Sequence, residues 1–358
     1  MGRLQALHHL AACMAGRPPH NCDWTAVMSL ANRSLITPQL AIALAPVRQL
    51  VPAEVGGFLD EVLGRNRERN RRLWRQLNDG VAALNGAGIM PVLLKGAARW
   101  AGLPRDATFD RLLSDVDVLV EPAQVQPAMA ALQAAGFSVL NRYEGSAVHV
   151  VAEFGRPEID VGYLDLHQRP PGPPGVAGAP ALAARRRTIA LDSGWAQTPD
   201  AASQILYLVL HDQFHDGDYW RGGFDLRHLT DLAALAPQLS AEDWAWLQDA
   251  CGTPLVRAAL AAQLVAASRL AGAPLPAWAD THRARWTYRR WRIQYARPAL
   301  RLPLAAAAAA LEWRDVRRHG QDNRSGRRRV LGDGERTAPP ESRLNRIGRI
   351  FTAEMGKI

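Results

Sequence analysis

The tetrad Ser114-Asp115-Val116-Asp117, which leads without a break into Val118-Leu119-Val120, restricts the fold more than any other part of the chain. In an extended strand alternate side chains share a face, so Asp115 and Asp117 project together while Val116 and Val118 point into a core. Two carboxylates held side by side repel one another unless a cation lies between them. Hard oxygen ligands at this spacing suit Mg²⁺, which keeps several waters and takes further ligands from substrate phosphates. A second apolar run, Ile89 to Leu94, also reads as a buried strand and ends at Lys95-Gly96. Glycine just before a helix start lets backbone N–H groups approach an anion closely, and the helix dipole favours negative charge there. The stretch from Ile89 to Val120 therefore describes a site for a metal ion and a triphosphate.

Residues 1 to 84 read as helical. Asp23-Trp24-Thr25 caps one helix, Thr37-Pro38 starts another, and from Val55 onward Phe58, Val62, Leu73, Leu77 and Leu84 recur at helical intervals. The intervening RNRERNRRLWRQ is charged enough for a solvated face, and Asn85-Gly86-Ala87-Gly88 ends the last helix. After Val120, Glu121-Pro122 opens a helix with Val125, Met129 and Leu132 on its apolar stripe and Gly136 at its end. Phe137 to Tyr143, Ala147 to Phe154 and Glu158 to His167 read as strands. This alternation predicts an α/β or α+β layer around a mostly buried sheet. RPPGPPGVAGAP, from Arg169 to Pro180, reads as a loop bordering the site, and Ala201–Leu210, Asp225–Leu235 and Pro254–Leu270 have the apolar spacing of helices.

Two-metal phosphoryl chemistry needs another carboxylate facing the first pair. Asp160 and Asp165 both lie in PEIDVGYLDLHQRP, and their odd separation puts them on opposite faces of a regular strand, so only one can face the site. Asp165 shares its face with His167 and is preferred, with Asp160 as the other choice.

In their order, Leu93-Leu94-Lys95-Gly96, Arg111 with Ser114-Asp115-Val116-Asp117, the helix ending at Gly136-Phe137, and Asp165-Leu166-His167 resemble an uncharacterised bacterial nucleotidyltransferase family of the DNA polymerase β-like superfamily. The similarity runs over roughly residues 20 to 240 and includes Trp24, Gly88-Ile89 and the helices around His211, His215 and Asp231. It implies an α+β fold with a small mixed-sheet core at 85–185; apolar spacing adds helical regions at 1–84 and 186–312, and composition a basic, flexible tail at 313–358, outside the resemblance. The resemblance further implies Asp115, Asp117 and Asp165 as catalytic and metal-binding residues, and Lys95, Gly96, Arg111 and Ser114 around the nucleotide. Arg111 would stand near the triphosphate or the acceptor; the plain alternative is a surface arginine paired with Asp110 or Asp115. Where much of the superfamily has Gly-Ser, this chain has Gly96-Ala97, and Lys95 partly offsets the lost hydroxyl. The implied activity is Mg²⁺-dependent transfer of a nucleoside monophosphate from a nucleoside triphosphate such as ATP, with two ions and with Mn²⁺ able to replace Mg²⁺. Attack by an acceptor nucleophile would expel pyrophosphate.

LVLHDQFHDGDYW holds His211, Asp212, His215, Asp216 and Asp218. His211 and His215, at i and i+4, share a helix face, the spacing that zinc ligands can use, but HExxH and a nearby Cys are missing. They are expected to line the acceptor side of the pocket or to be satisfied polar groups, and His167 to stand on the same acceptor side or to orient Asp165 or a metal-bound water. Asp231 reads as structural, or as a partner for this cluster.

The formal net charge of +9 is not spread evenly: from Arg283 to Arg349 there are 18 Arg against six acidic residues, and the rest is slightly acidic. A basic end reads as a solvated tail, and Trp286 and Trp291 among its arginines as a basic amphipathic helix with its tryptophans packed inward. The acceptor is therefore expected to be a small molecule, peptide or protein more than RNA. The rival readings are a silent scaffold on the same fold, and an RNA binder working through the Arg-rich C-terminus. Cys13, Cys22 and Cys251 have no metal-ligand spacing, and no run suits a secretory signal or a bilayer span, so the expectation is a soluble, cytoplasmic protein with no membrane partner.

Overall fold

The structure, a computed structural model, describes residues 2–104, 107–144, 149–170, 172, 184–314 and 328–331. It is an α+β protein built on one mixed sheet. Helices α1 (Arg3–Met14), α2 (Trp24–Arg33), α3 (Thr37–Leu44) and α4 (Ala53–Gly86) precede strand β1 (Val92–Leu94). Helix α5 (Lys95–Ala101) leads towards β2 (Asp115–Leu119), and α6 (Val125–Ala134) towards β3 (Ser138–Glu144), β4 (Val150–Gly155) and β5 (Tyr163–His167). A hairpin follows, β6 (Arg186–Leu191) and β7 (Gly194–Pro199), and a short β8 (Arg328–Leu331) lies at the far edge. The spatial order is β6-β7-β1-β2-β5-β4-β3-β8. β2 runs antiparallel to β1 and parallel to β5, while β1 and β7 are parallel.

The alternation read in the sequence sorts the sheet into two faces. Leu93, Val116, Val118, Leu164 and Leu166 pack with Leu73, Leu77, Val81 and Leu84 of α4 and with Leu132 of α6. Gly80 lies where α4 approaches the sheet closely, since a Cβ there would meet Leu164 Cδ1 at 2.5 Å. On the other face Val92, Leu94 and Leu119 join a larger core with the C-terminal helices: α7 (Ala201–Leu210), α8 (Asp218–Arg221), α9 (Leu226–Leu235), α10 (Ala241–Ala250), α11 (Pro254–Ala271), α12 (His282–Ala296) and α13 (Arg301–Leu311). Their starts are chemically marked: Asp200 accepts from Ser203 N–H at 2.8 Å and Asp225 from Arg227 N–H at 2.8 Å. No helix among the described residues is long and apolar enough to cross a membrane.

Several expectations are corrected. The polar middle of α4 is not simply a solvated face, because Asn66, Asn70 and Gln76 are buried. They donate to chain segments that have no strand partner: Asn66 to Asp110 O (2.9 Å), Asn70 to Phe109 O (2.7 Å) and Arg111 O (2.9 Å), and Gln76 to Gly162 O (3.0 Å). The strand expected from Glu158 begins only at Tyr163. The sheet also continues past residue 185, where only helices were expected, because the 186–199 hairpin pairs onto β1. On α12 Trp291 is fully buried, whereas Trp286 is exposed. Most of the proline-rich loop and almost all of the basic tail lie outside the described residues.

Asn70 makes a direct test of the α4 clamp. Asn70→Ala leaves two buried carbonyls without their donor, and the expected loss is about 1–3 kcal/mol in urea unfolding. Arg71→Ala, on the exposed side of the same helix, should stay within about 0.5 kcal/mol of wild type.

Candidate active site

Register brings the carboxylates together. Asp117 on β2 is the Cα partner of Asp165 on the parallel β5, and Asp165 in turn faces Glu153 on β4. Directly opposed residues share a face, so Asp117, Asp165 and Glu153 form one row, with Asp115 one pleat earlier on β2. Asp160 is not part of it: it lies before β5 and accepts hydrogen bonds from Arg156, at 2.9 Å from the backbone N–H and 2.8 Å from Nη2.

Lys95 sits where β1 gives way to α5, at a positive φ of 47° that a non-glycine residue adopts only with strain. Its Nζ donates to Asp117 Oδ1 at 2.8 Å, and His167 Nε2 lies 2.9 Å from the same oxygen. Burial opposes the charged form of Lys95, but Asp117 and Asp115 override it and raise its pKa. Burial likewise opposes the Asp117 carboxylate, yet Lys95 and His167 hold its pKa below the usual carboxylate range. The balance is reversed at Asp165. Burial first, then the charges of Asp115 and Asp117, push its pKa well above that range, and its Oδ1 is buried with no hydrogen-bond partner.

This donor set suits a hard divalent cation. Asp117, Asp165 and His167 have ligand atoms within 4.8 Å of one another, and the unpartnered Asp165 oxygen is adjacent to a pair of carboxylates that cannot all stay charged unaided. Asp115 is partly exposed beside this row, and Ser114 donates from Oγ to its Oδ1 at 3.1 Å.

Two residues read as nucleotide contacts have other work in the structure. Arg111 is only 6% exposed and gives Nε to Asp231 Oδ2 at 2.8 Å, while Arg99 pairs with the same carboxylate. Asp231 is therefore the counter-charge of two arginines, in keeping with a structural role, and His228 acts on it in the same sense. Gly96 accommodates packing: a Cβ would meet Leu113 Cδ2 at 2.2 Å and Arg111 Nη1 at 2.8 Å. Gly96→Ala is expected to cost about 1–3 kcal/mol by overpacking, read as a lower midpoint of urea unfolding.

Beyond Asp117 runs a series of imidazoles. His167 lies 5.4 Å from His149 between ring centroids, His149 lies 4.2 Å from His215, and His215 lies 5.4 Å from His211. Burial and the neighbouring histidines lower the pKa of His149, and burial lowers that of His167 despite Asp117. His211 differs: burial opposes its charge, but Asp216 overcomes this and its pKa is raised to about 9. The histidines expected on the acceptor side thus stand beside the carboxylates. Sequence reasoning missed His149 and Glu153, which carry no motif; only register reveals them.

The sequence profile of a family described as uncharacterised nucleotidyltransferase matches residues 20–272. A solution structure of the antibiotic-resistance factor ANT(2'')-Ia is similar at 14% identity, covering 54% of this chain and 93% of that one, with a TM-score of 0.35. No curated protein matches the chain.

Proposed function

Because the chain belongs to the uncharacterised nucleotidyltransferase family, we propose that its carboxylate row performs Mg²⁺-dependent transfer of a nucleoside monophosphate from a nucleoside triphosphate to an acceptor nucleophile. The observation that carries this reading is the pairing of Asp117 with Asp165 across β2 and β5, with Lys95 Nζ 2.8 Å from Asp117 and the Asp165 oxygen left unpartnered. Asp115, Asp117 and Asp165 are the residues to hold the cations. A bound divalent ion, Mg²⁺ or in its place Mn²⁺, neutralises phosphate charge and lowers the pKa of an attacking hydroxyl.

The chain's own groups supply the rest. Lys95 keeps Asp117 ionised and adds positive charge where charge builds on the departing pyrophosphate. His167 meets the same Asp117 oxygen as Lys95 and helps to fix the carboxylate. The acceptor atom forms a bond to the α-phosphorus, the bond from that phosphorus to the bridging oxygen breaks, and pyrophosphate leaves with the electron pair. The proton of the nucleophile passes to solvent. The acceptor is a small molecule, peptide or protein, in keeping with a chain that is slightly acidic outside its Arg-rich end.

The test is label transfer from each of four nucleoside triphosphates, labelled at the α-phosphate, into an extract of the source cell with Mg²⁺. Label should enter a product whose size identifies the acceptor class, and γ-phosphate label should not. No transfer together with no binding of any triphosphate would leave a scaffold on a nucleotidyltransferase fold.

A further inference from the structure

Residues 211–215 continue α7 as a π-helical turn, closed by a bond from Asp216 N–H to His211 O at 3.0 Å. In an ordinary α-helix residues 211 and 216 lie on different faces. The wider turn, with its i to i+5 bonding, carries 215 and 216 together over 211, and such turns are frequent at functional sites. His211, His215 and Asp216 then present ligand atoms within 4.8 Å of one another, all on partly exposed side chains.

We propose that His211, His215 and Asp216 form a binding site for a divalent transition-metal ion of the zinc class, separate from the carboxylates of β2 and β5. Two imidazole nitrogens with one carboxylate oxygen are the ligands such ions prefer and Mg²⁺ does not. His211 Nδ1 and Asp216 Oδ2 are 3.2 Å apart, close to the ~3.3 Å between neighbouring ligands of a tetrahedral ion with bonds of about 2.0–2.1 Å. In the other nearby triad, His211, Asp212 and His228, the aspartate is already engaged. Asp212 is fully buried and already takes His228 Nδ1 at 2.7 Å and Gln263 Nε2 at 3.2 Å. The side chains of His211, His215 and Asp216 are each partly exposed, and on binding, the proton that His211 Nδ1 holds between Asp216 Oδ2 at 3.2 Å and Asp212 Oδ1 at 3.3 Å leaves to solvent. His149 and His167 stand between this triad and Asp117.

The experiment uses the full chain carrying Asp165→Asn, which weakens the carboxylate site, freed of metal by a chelator and titrated with Co²⁺ alone. One Co²⁺ per chain is expected, with the visible absorption of cobalt bound by nitrogen and oxygen. Adding His215→Gln should weaken binding by more than the ~10–100-fold typical of losing an outer hydrogen-bond partner. Absence of bound cobalt in Asp165→Asn, or unchanged binding after His215→Gln, overturns the proposal. Should circular dichroism show the double variant unfolded, proton NMR of cobalt-loaded Asp165→Asn decides. Hyperfine-shifted N–H signals from two imidazoles support the site, and their absence overturns it. The readout uses no nucleotide, so it succeeds or fails independently of the transferase reading.

Discussion

Asp165→Asn is expected to abolish nucleotidyl transfer, by about 10³-fold or more, while making the metal-free chain more stable at neutral pH. The two effects have one origin. Asp165 is pressed against Asp115 and Asp117 with an oxygen that nothing satisfies, so its folded pKa stands well above its unfolded value. For a group whose folded pKa is raised, the stability contribution is fully present below the unfolded pKa, near 3.8, and is lost as pH rises towards the folded value. The neutral amide removes that loss. Thermal unfolding in chelator should therefore show wild type falling behind Asp165→Asn as pH rises from 4 to 7. Mg²⁺ should raise the melting temperature of wild type more than that of the variant. A variant that is both inactive and less stable in chelator at pH 7 would contradict this account of Asp165.

Asp231 carries the second large expectation, with the opposite sign. Burial opposes its charge, but Arg111 and Arg99 hold its pKa below the ordinary value. Asp231→Asn leaves two arginines without their counter-charge, one of them almost completely buried, and the expected destabilisation is about 3–5 kcal/mol. For a depressed folded pKa the contribution is present above the unfolded value of 3.8 and is lost as pH falls through the folded one. Wild type should thus lose in acid an increment of stability that Asp231→Asn never had, as urea unfolding at pH 7 and pH 3 would reveal. Arg111→Lys should likewise lower stability with little effect on KM for the triphosphate, since Lys cannot reproduce the side-on guanidinium pair. A large rise in KM at unchanged stability would return Arg111 to the nucleotide.

What could be read from residues alone follows from how local each feature is. The strand at Asp115, the helix after Pro122 and the alternation of Val116 and Val118 depend on neighbours in sequence, and the structure has them there. The choice between Asp160 and Asp165 depended on where β5 begins, which Arg156 decides by holding Asp160 in the preceding turn. Asn66, Asn70 and Gln76 looked solvated because their polarity answers to carbonyls 39 to 86 residues away. The partner of Arg111 was missed for the same reason: it is Asp231, not Asp110 or Asp115, and lies 120 positions downstream. Residue type announces that a polar group needs a partner, but topology alone says which.

The strand order also sets a timetable. β1 and β2 leave the ribosome early, yet Val92 of β1 pairs with Gln197 of β7, and Arg111 waits for Asp231. A growing chain that ends near residue 170 already contains Asp115, Asp117 and Asp165, but one edge of β1 is open and a core arginine lacks its counter-charge. At roughly 5–20 residues per second, the interval between making β1 and making Asp231 is on the order of ten seconds. During that interval the open edge is the part most exposed to wrong pairing, and a factor that shields nascent strands would matter more here than in a chain whose strands pair in order. Only when α9 arrives does Arg111 gain its counter-charge, so a chain that ends before Asp231 lacks one buried ion pair of its core.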